Sequence, residues 1–315
     1  MQEIDALVSS LEEQRQKLIK STIRWFFIYA SLGLFLFFLG MFYPSYSYLI
    51  LFGIGIFLIG TILSIVNNHK KFKKAFKESF LKELFRLKFG ENFEYRPNDY
   101  IREELFVSSR LFSHKPSPDR YSGEDLILTS VDSIKLSFSE VKAEYKETYF
   151  DSNGRKRERW VDIFRGVFVI ADFPKMARVP VVVLPNFEKV VSLPWEELKK
   201  VKLEDPEFEK FFDVWSKDQV EARYILSISL MQRMVEFYKK AKEKGFRPEI
   251  YFSFIGRRMF CALKSRSSGD FLKVPFYLLT SKKSLMSGSY ELYIQEVELI
   301  LSIVNELNLN LDIWL

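Results

Sequence analysis

The stretch IRWFFIYASLGLFLFFLGMFYPSYSYLILFGIGIFLIGTILSIVNNHKKFKK runs from Ile23 to Lys74, with no charged residue between Arg24 and Lys70. A helix that crosses a bilayer needs about 20 mostly apolar residues. Trp25–Tyr43 supplies one such stretch and Tyr48–Val66 a second. Between them stands Pro44-Ser45-Tyr46-Ser47. Proline stops a helix interior and serine suits a turn, so the reading is a helical hairpin with a short connection. Trp25, Tyr43, Tyr46 and Tyr48 fall where an interfacial aromatic belt is expected. Gly53, Gly55 and Gly60 offer close helix approach, either between the two spans or toward a second copy.

Orientation is read from the flanks. Arg15, Lys17, Lys20 and Arg24 precede the first span; Lys70, Lys71, Lys73, Lys74 and Lys77 follow the second; the turn is uncharged. Basic flanks stay on the cytoplasmic side. The expectation is a multi-pass protein of the cytoplasmic (inner) membrane with both termini cytoplasmic. Lys70, Lys71, Lys73 and Lys74 are expected to touch anionic lipid. No cleavable signal peptide is expected, because the apolar stretch starts late, is too long and lacks a small-residue cleavage site.

Outward from the hairpin, Ile4, Leu7, Leu11 and Leu18 make the first 24 residues read as an amphipathic helix. Phe72, Phe76, Phe80, Leu84 and Leu87 continue a helix to Phe89, with Gly90 as its stop. That aromatic face either docks on the following domain, the preferred reading, or lies on the membrane surface. Residues 67–112 form a juxtamembrane connector with a short helix between Asn98 and Arg110. SHKPSPDRYSGED, Ser113–Asp125, reads as an exposed loop.

Residues 113–315 carry the polar domain, as one domain or as two halves meeting near 194–205. LILTSVDSIKLSFSEVKAEYKETYF, Leu126–Phe150, alternates apolar and polar residues, DSNG at Asp151–Gly154 turns, and RWVDIFRGVFVIADF, Arg159–Phe173, returns. With Val179–Leu184 this predicts an antiparallel sheet of at least four strands. DPEFEKFFDVWSKD, Asp205–Asp218, reads as a helix capped by Asp205 with Pro206 first. A stronger helix starts at Ser227 or Ser229 and closes at Gly245. EIYFSFIGRRMFCALK reads as a hairpin turning at Gly256-Arg257, and Tyr290–Leu307 as the last helix before LNLNLDIWL. The fold class is therefore an α+β cytoplasmic domain with an antiparallel sheet, plus an N-terminal two-helix transmembrane hairpin.

The blocks GEDLILTSVDSIKLSFSEVKAEY, FRGVFVIADFPK, LEDPEFEKFFDVWSKDQVEARYILSISLMQRMVEF, IYFSFIGRRMFCAL and LNLNLDIW, in that order, resemble the DUF3137 family of bacterial membrane proteins. The resemblance covers roughly Phe72 to the C-terminus, and the two-span hairpin before it is similar. It implies the architecture and topology given above. The family brings no established activity, so no catalytic residue follows from it.

The chemistry-bearing residues are few. The chain has two histidines, His69 and His114, and one cysteine, Cys261, so a histidine triad, a cysteine-rich metal centre and an intrachain disulfide have no material. Cys261 reads as a small core residue. Neither GxGxxG nor GxxxxGK[ST] occurs. No cofactor and no catalytic residue is expected, and the chain leans away from being an enzyme. Glu140 and Glu144 stand on alternate strand positions and Asp172 follows an apolar strand. Together they are a candidate polar site for a cation or acid–base pair, or a solvated sheet face balanced by Lys142 or Arg165. Arg155, Lys156, Arg157, Arg159 and Trp160 form a basic, aromatic hairpin tip. It suits anionic lipid, an acidic partner or RNA, or is charged simply because it is solvated. Glu221 and Arg223 read as a structural ion pair, or as a buried or partly buried polar network.

The net charge of +6 is modest and much of it flanks the hairpin, so no nucleic acid is expected as a partner. The expected partners are the lipid bilayer and a protein, or a second copy of the chain. The expected function is a membrane-anchored, cytoplasm-facing binding or scaffolding protein. The alternatives are a carboxylate- or metal-dependent membrane enzyme, and an oligomeric channel or transporter subunit. The spans hold no ionisable pathway residue, which speaks against the channel.

Overall fold

The computed structural model describes residues 2–186, 198–243, 249–264, 271–280, 290–307 and 309, and divides into two compact units. The first comprises Met1–Lys88 and Val274–Leu292; the second comprises Phe89–Lys273 and Tyr293–Leu315.

In the first unit, α1 (Gln2–Phe42) is one helix through both the amphipathic and the apolar stretch. A single turn at Pro44–Tyr46 reverses the chain into α2 (Tyr48–Ala75), which continues through a π-helical turn at Phe76–Leu81 into α3 (Lys82–Phe89). Gly90 follows at φ +85°, the left-handed cap that stops the helix as its sequence predicts. Both rods are long and apolar enough to cross a membrane. They pack as a hairpin through two of the three glycines singled out in the sequence. A Cβ on Gly53 would stand 2.7 Å from the Gly33 carbonyl oxygen, and one on Gly60 2.7 Å from the Tyr29 ring. Gly55 faces open space.

Beyond the apolar stretch the helix pair buries polar groups beside Val8, Leu11, Phe72 and Phe76. Asn68 Nδ2 donates to Thr22 Oγ1 at 2.8 Å, and the Thr22 and Tyr277 hydroxyls lie 2.7 Å apart. Arg15, counted in the sequence among the flanking charges, is buried. Its guanidinium grips both carboxylate oxygens of Glu12 at 2.7 Å and donates to the Tyr277 carbonyl at 3.0 Å. Tyr277 thus docks between α1 and α2 from a segment far along the chain. His69 packs against Phe276 and Tyr277, with ring centroids 5.0 and 6.1 Å away.

The second unit is a seven-stranded antiparallel sheet with helices, and it is not closed. Its strands are β1 (Glu94–Arg96), β2 (Arg120–Val131), β3 (Ile134–Phe150), β4 (Lys156–Pro185), β5 (Lys199–Val201), β6 (Phe212–Ser216) and β7 (Ile250–Lys264). The order is β1-β2-β3-β4-β6-β5, with β7 also paired to β4. β4 is the spine. It pairs with β3 as far as Ala171, with β6 from Val181 to Pro185, and with β7 across both stretches.

The helices are α4 (Glu103–Ser108), α5 (Gln219–Ile225), α6 (Ile228–Glu243) and α7 (Tyr290–Glu306). On one face of the sheet Phe106, Phe112, Phe164, Phe168, Tyr251 and Phe260 form an aromatic core. Ser253 Oγ donates to the Ser109 carbonyl at 2.7 Å and ties the loop after α4 to β7.

Several expectations change. The loop expected over Ser113–Asp125 ends at Asp119, because Arg120–Glu124 pair with Glu140–Glu144. The helix expected over Asp205–Asp218 is a single turn at Phe208–Lys210 followed by β6. Asp205 does cap it, accepting from the Glu207 and Phe208 N–H groups at 2.9 and 3.0 Å. Phe212, Val214 and Ser216 alternate inward, however, and β5 and β4 pair on either side.

The hairpin expected at Gly256 is one continuous strand. Both halves of β7 find their partner on the long β4, and the left-handed Gly256, φ +61°, forms a kink opposite Ala177 instead of a turn. β1 has no counterpart in the sequence reading, being only three residues long. Leu126–Phe150 divides into β2 and β3 at Asp132-Ser133, both at positive φ, the geometry of a tight hairpin turn. Gly245, the expected end of α6, lies outside the described residues, as do positions 194–197 of the expected junction and nearly all of LNLNLDIWL.

Candidate functional site

Of the three carboxylates picked from the sequence, Glu140 is buried, Glu144 pairs with Lys142 at 2.8 Å, and Asp172 is exposed opposite Arg258. They occupy separate registers: Glu140 opposes Glu124 and Val167, and Glu144 opposes Arg120 and Asp162. Glu140 instead meets two residues that the sequence reading passed over. Carboxylate oxygens of Glu124, Asp125 and Glu140 lie within 4.8 Å of one another.

A bulge in β2 between Glu124 and Ile127 builds this trio. Asp125 takes a left-handed conformation, φ 64°, tolerable for aspartate, which turns its side chain into the fold. There the Tyr95 hydroxyl donates to Asp125 Oδ1 at 2.5 Å. Burial first, then the Asp125 charge, push the Tyr95 phenol well above its ordinary pKa, so it stays a donor. Gly123 makes the close approach possible, since a Cβ there would stand 2.3 Å from the Glu140 carbonyl oxygen. An all-oxygen donor set of this kind suits a hard divalent cation. The only sequence signal was the SGED tetrad, whose glycine and acidic pair look like any turn.

The second candidate, Arg155–Trp160, sits at the end of a projecting two-stranded arm. β2 pairs with β3 only to Glu144 and β7 pairs with β4 only from Gly166. Residues 145–150 and 156–161 therefore pair with each other alone among the described residues. Asp119 covers the start of one edge, accepting from the Lys146 N–H at 2.7 Å. The tip is basic, and part of its charge is paired. Arg157 pairs with Asp151 at 3.1 Å, Arg159 with Glu147 at 2.5 Å and Lys146 with Glu158 at 2.6 Å. Across the arm, residues 145–161, Lys146, Arg155, Lys156, Arg157 and Arg159 stand against Glu147, Asp151 and Glu158, and each of those three carboxylates is held in an ion pair.

The arm's aromatics are outside: Phe150 is 71% exposed, Tyr149 42% and Trp160 38%. Register places Phe150 and Trp160 on one face and Tyr149 on the other. The Arg120 guanidinium lies 3.6 Å from the Trp160 ring centroid, bracing the arm's root.

Lys70, Lys71 and Lys74 are exposed and Lys73 is half-buried, on the turns of α2 after the apolar stretch. Cys261 is fully buried and its thiol is pushed up by burial, as suits a core residue. Glu221 does not pair with Arg223: its carboxylate accepts from the Arg178 N–H at 2.7 Å.

The architecture defines a class: an α+β protein with an open antiparallel sheet and two helices able to associate with a membrane. Residues 162–309, a little under half of the chain, match the family model described as Protein of unknown function (DUF3137). The match begins within β4, a shorter span than the resemblance read from the sequence. No curated protein matches the chain. Among solved structures, the crystal structure of the mycobacterial trehalose monomycolate transport factor A, TtfA, is similar at 10% identity and a TM-score of 0.34, over 71% of this chain and 93% of that one. A likeness so distant carries no argument about what this chain does.

Proposed function

We propose that this is a membrane-anchored binding protein that holds a protein partner at the cytoplasmic face of the inner membrane through the β3–β4 arm. The two apolar helices serve as a hairpin anchor with both termini cytoplasmic; the uncharged turn at Pro44–Ser47 and the lysines after Val66 support that orientation. The observation that carries the reading is the arm itself. A two-stranded ribbon is marginal in water, and one with Tyr149, Phe150 and Trp160 turned outward gains by being covered. Three of its five cations are held in ion pairs within the arm, which favours a protein surface over anionic lipid or nucleic acid. Its open edges offer the main-chain groups that strand addition uses.

A photo-crosslinking residue at Phe150, used in cells, tests this. The expected result is one discrete adduct with a protein, stoichiometric after extraction and lost when Trp160 and Tyr149 become serine. Adducts with lipid alone, or none, reject the arm as a protein-binding element.

A second reading rests on the trio Glu124, Asp125 and Glu140, which would hold a divalent cation for a structural or hydrolytic role. Equilibrium dialysis of the full chain with Ca²⁺, Mg²⁺ or Mn²⁺ decides it. Binding at unit stoichiometry that Asp125→Asn removes supports a metal site. Equal retention by the two proteins rejects it.

A further inference from the structure

Where β4 kinks, between Asp172 and Val181, the sheet carries a second unusual surface. α5 lies against this kink by two anchors. The buried Lys175 donates from Nζ to the Tyr224 carbonyl at 2.5 Å, with the ammonium 4.5 Å from the Tyr224 ring centroid, and the Glu221 carboxylate accepts from the Arg178 N–H at 2.7 Å. These anchors leave the intervening Met176 outside, 53% exposed. On α5, Val220 and Tyr224 stand four apart on one helical face, 74% and 51% exposed, and Ile228 at the start of α6 is 61% exposed. A soluble surface scatters such residues singly; four large apolar groups in one small region mark a contact.

The rim is basic. Arg178 and Arg223 flank the apolar groups, and Arg257 and Arg258 follow the Gly256 kink that pairs with Ala177. All four arginines are exposed and none makes an ion pair among the described residues. Three carboxylates lie among them, Asp218 accepting from the Val220 and Glu221 N–H groups, Glu221 accepting from the Arg178 backbone N–H, and Asp172 opposite Arg258, and the four unpaired arginines outnumber them.

Apolar side chains ringed by arginines are the composition of a surface that lies at an anionic lipid interface. We infer that the face formed by Met176, Val220, Tyr224 and Ile228, with Arg178, Arg223 and Arg257 around it, docks on the surface of an anionic bilayer. The apolar groups enter the headgroup boundary while the guanidinium groups bind lipid phosphate. The charge complementarity selects lipid, and the two apolar helices keep a bilayer at hand. The inference rests on the membrane association in the proposed function and is independent of the arm's partner.

The test uses the full chain, in which the one native cysteine, Cys261, is buried and slow to label. Val220→Cys carrying an environment-sensitive dye is reconstituted into vesicles of phosphatidylcholine alone, or with phosphatidylglycerol, each with a nitroxide-bearing lipid. The expected result is a blue shift and nitroxide quenching with phosphatidylglycerol, both lost in high salt and in the triple variant Arg178→Glu, Arg223→Glu, Arg257→Glu. A dye that stays quenchable by aqueous iodide in both vesicles overturns the inference. So does one shielded equally whatever the lipid, as a protein contact would give. A chain that fails to float with the vesicles overturns the anchor as well, whereas a floating chain with a water-exposed dye overturns this docking alone.

Discussion

The hydroxyl of Tyr277 lies 2.7 Å from that of Thr22, across 255 positions of sequence, and Asn68 closes the group from the second helix. A late segment of the chain is thus bonded into the crevice between its first two helices. Tyr277→Phe keeps the ring and removes one polar contact, so it is expected to cost about 1 kcal/mol. Thr22→Val should cost a similar amount. Because the two share one network, the double variant should fall short of the sum by at least about 0.5 kcal/mol. Thermal unfolding of the full chain in detergent measures this; additive losses would separate the two groups.

The glycines of α2 make a sharper contrast. Gly53→Ala would push a methyl group into the Gly33 carbonyl, and overpacking of that kind costs about 1–3 kcal/mol. Gly55→Ala meets open space and should be neutral or slightly stabilising. Disulfide crosslinking between cysteines placed on α1 and α2 reads the separation. Equal effects at both positions would contradict the hairpin packing.

His69 makes the docking of Phe276 and Tyr277 sensitive to acid. Burial first, then the charge of Lys73, hold its imidazole below the ordinary value of 6.5. The unfolded chain therefore takes up the proton more readily than the folded one. The stability tied to neutral His69 is complete above the ordinary value and is lost as pH falls through it toward the lower folded value. The unfolding midpoint should drop as pH falls below the ordinary value of 6.5, and His69→Gln should flatten that slope.

The arm is braced by Arg120 over Trp160. Arg120→Gln is expected to loosen it by about 0.5–1 kcal/mol without touching the sheet below. Amide exchange should quicken over residues 145–161 and hold steady in β7. Uniform acceleration would mean that the arm is part of the global fold.

The hairpin was legible because its signal is local: two uncharged lengths and a proline between them. The choice among Gly53, Gly55 and Gly60 was not, since only the rotational phase of α2 against α1 decides which glycine meets a neighbour. Strand against helix at Phe212–Ser216 was settled by pairing with β4, which five residues do not announce. Gly256 was read as a turn and is a left-handed kink instead, because the length of β4 lets one partner serve both halves of β7. Asp125 was hidden for a related reason. A residue re-aimed by a bulge leaves the alternation that strand reading relies on, so Glu140 was grouped with Glu144 by period alone.

The return of Tyr277 to the first helices has a consequence in time. A ribosome adding about 5–20 residues per second needs roughly 10–50 s to travel from Thr22 to Tyr277. Throughout that interval the crevice holding Arg15, Thr22 and Asn68 stands open, its polar groups served by water or by a chaperone. A chain released before Val274 never closes it. Completion of the helical unit thus reports that the β-rich unit has been synthesised, and an unfilled crevice is a mark by which a protease can tell a truncated product from a finished one.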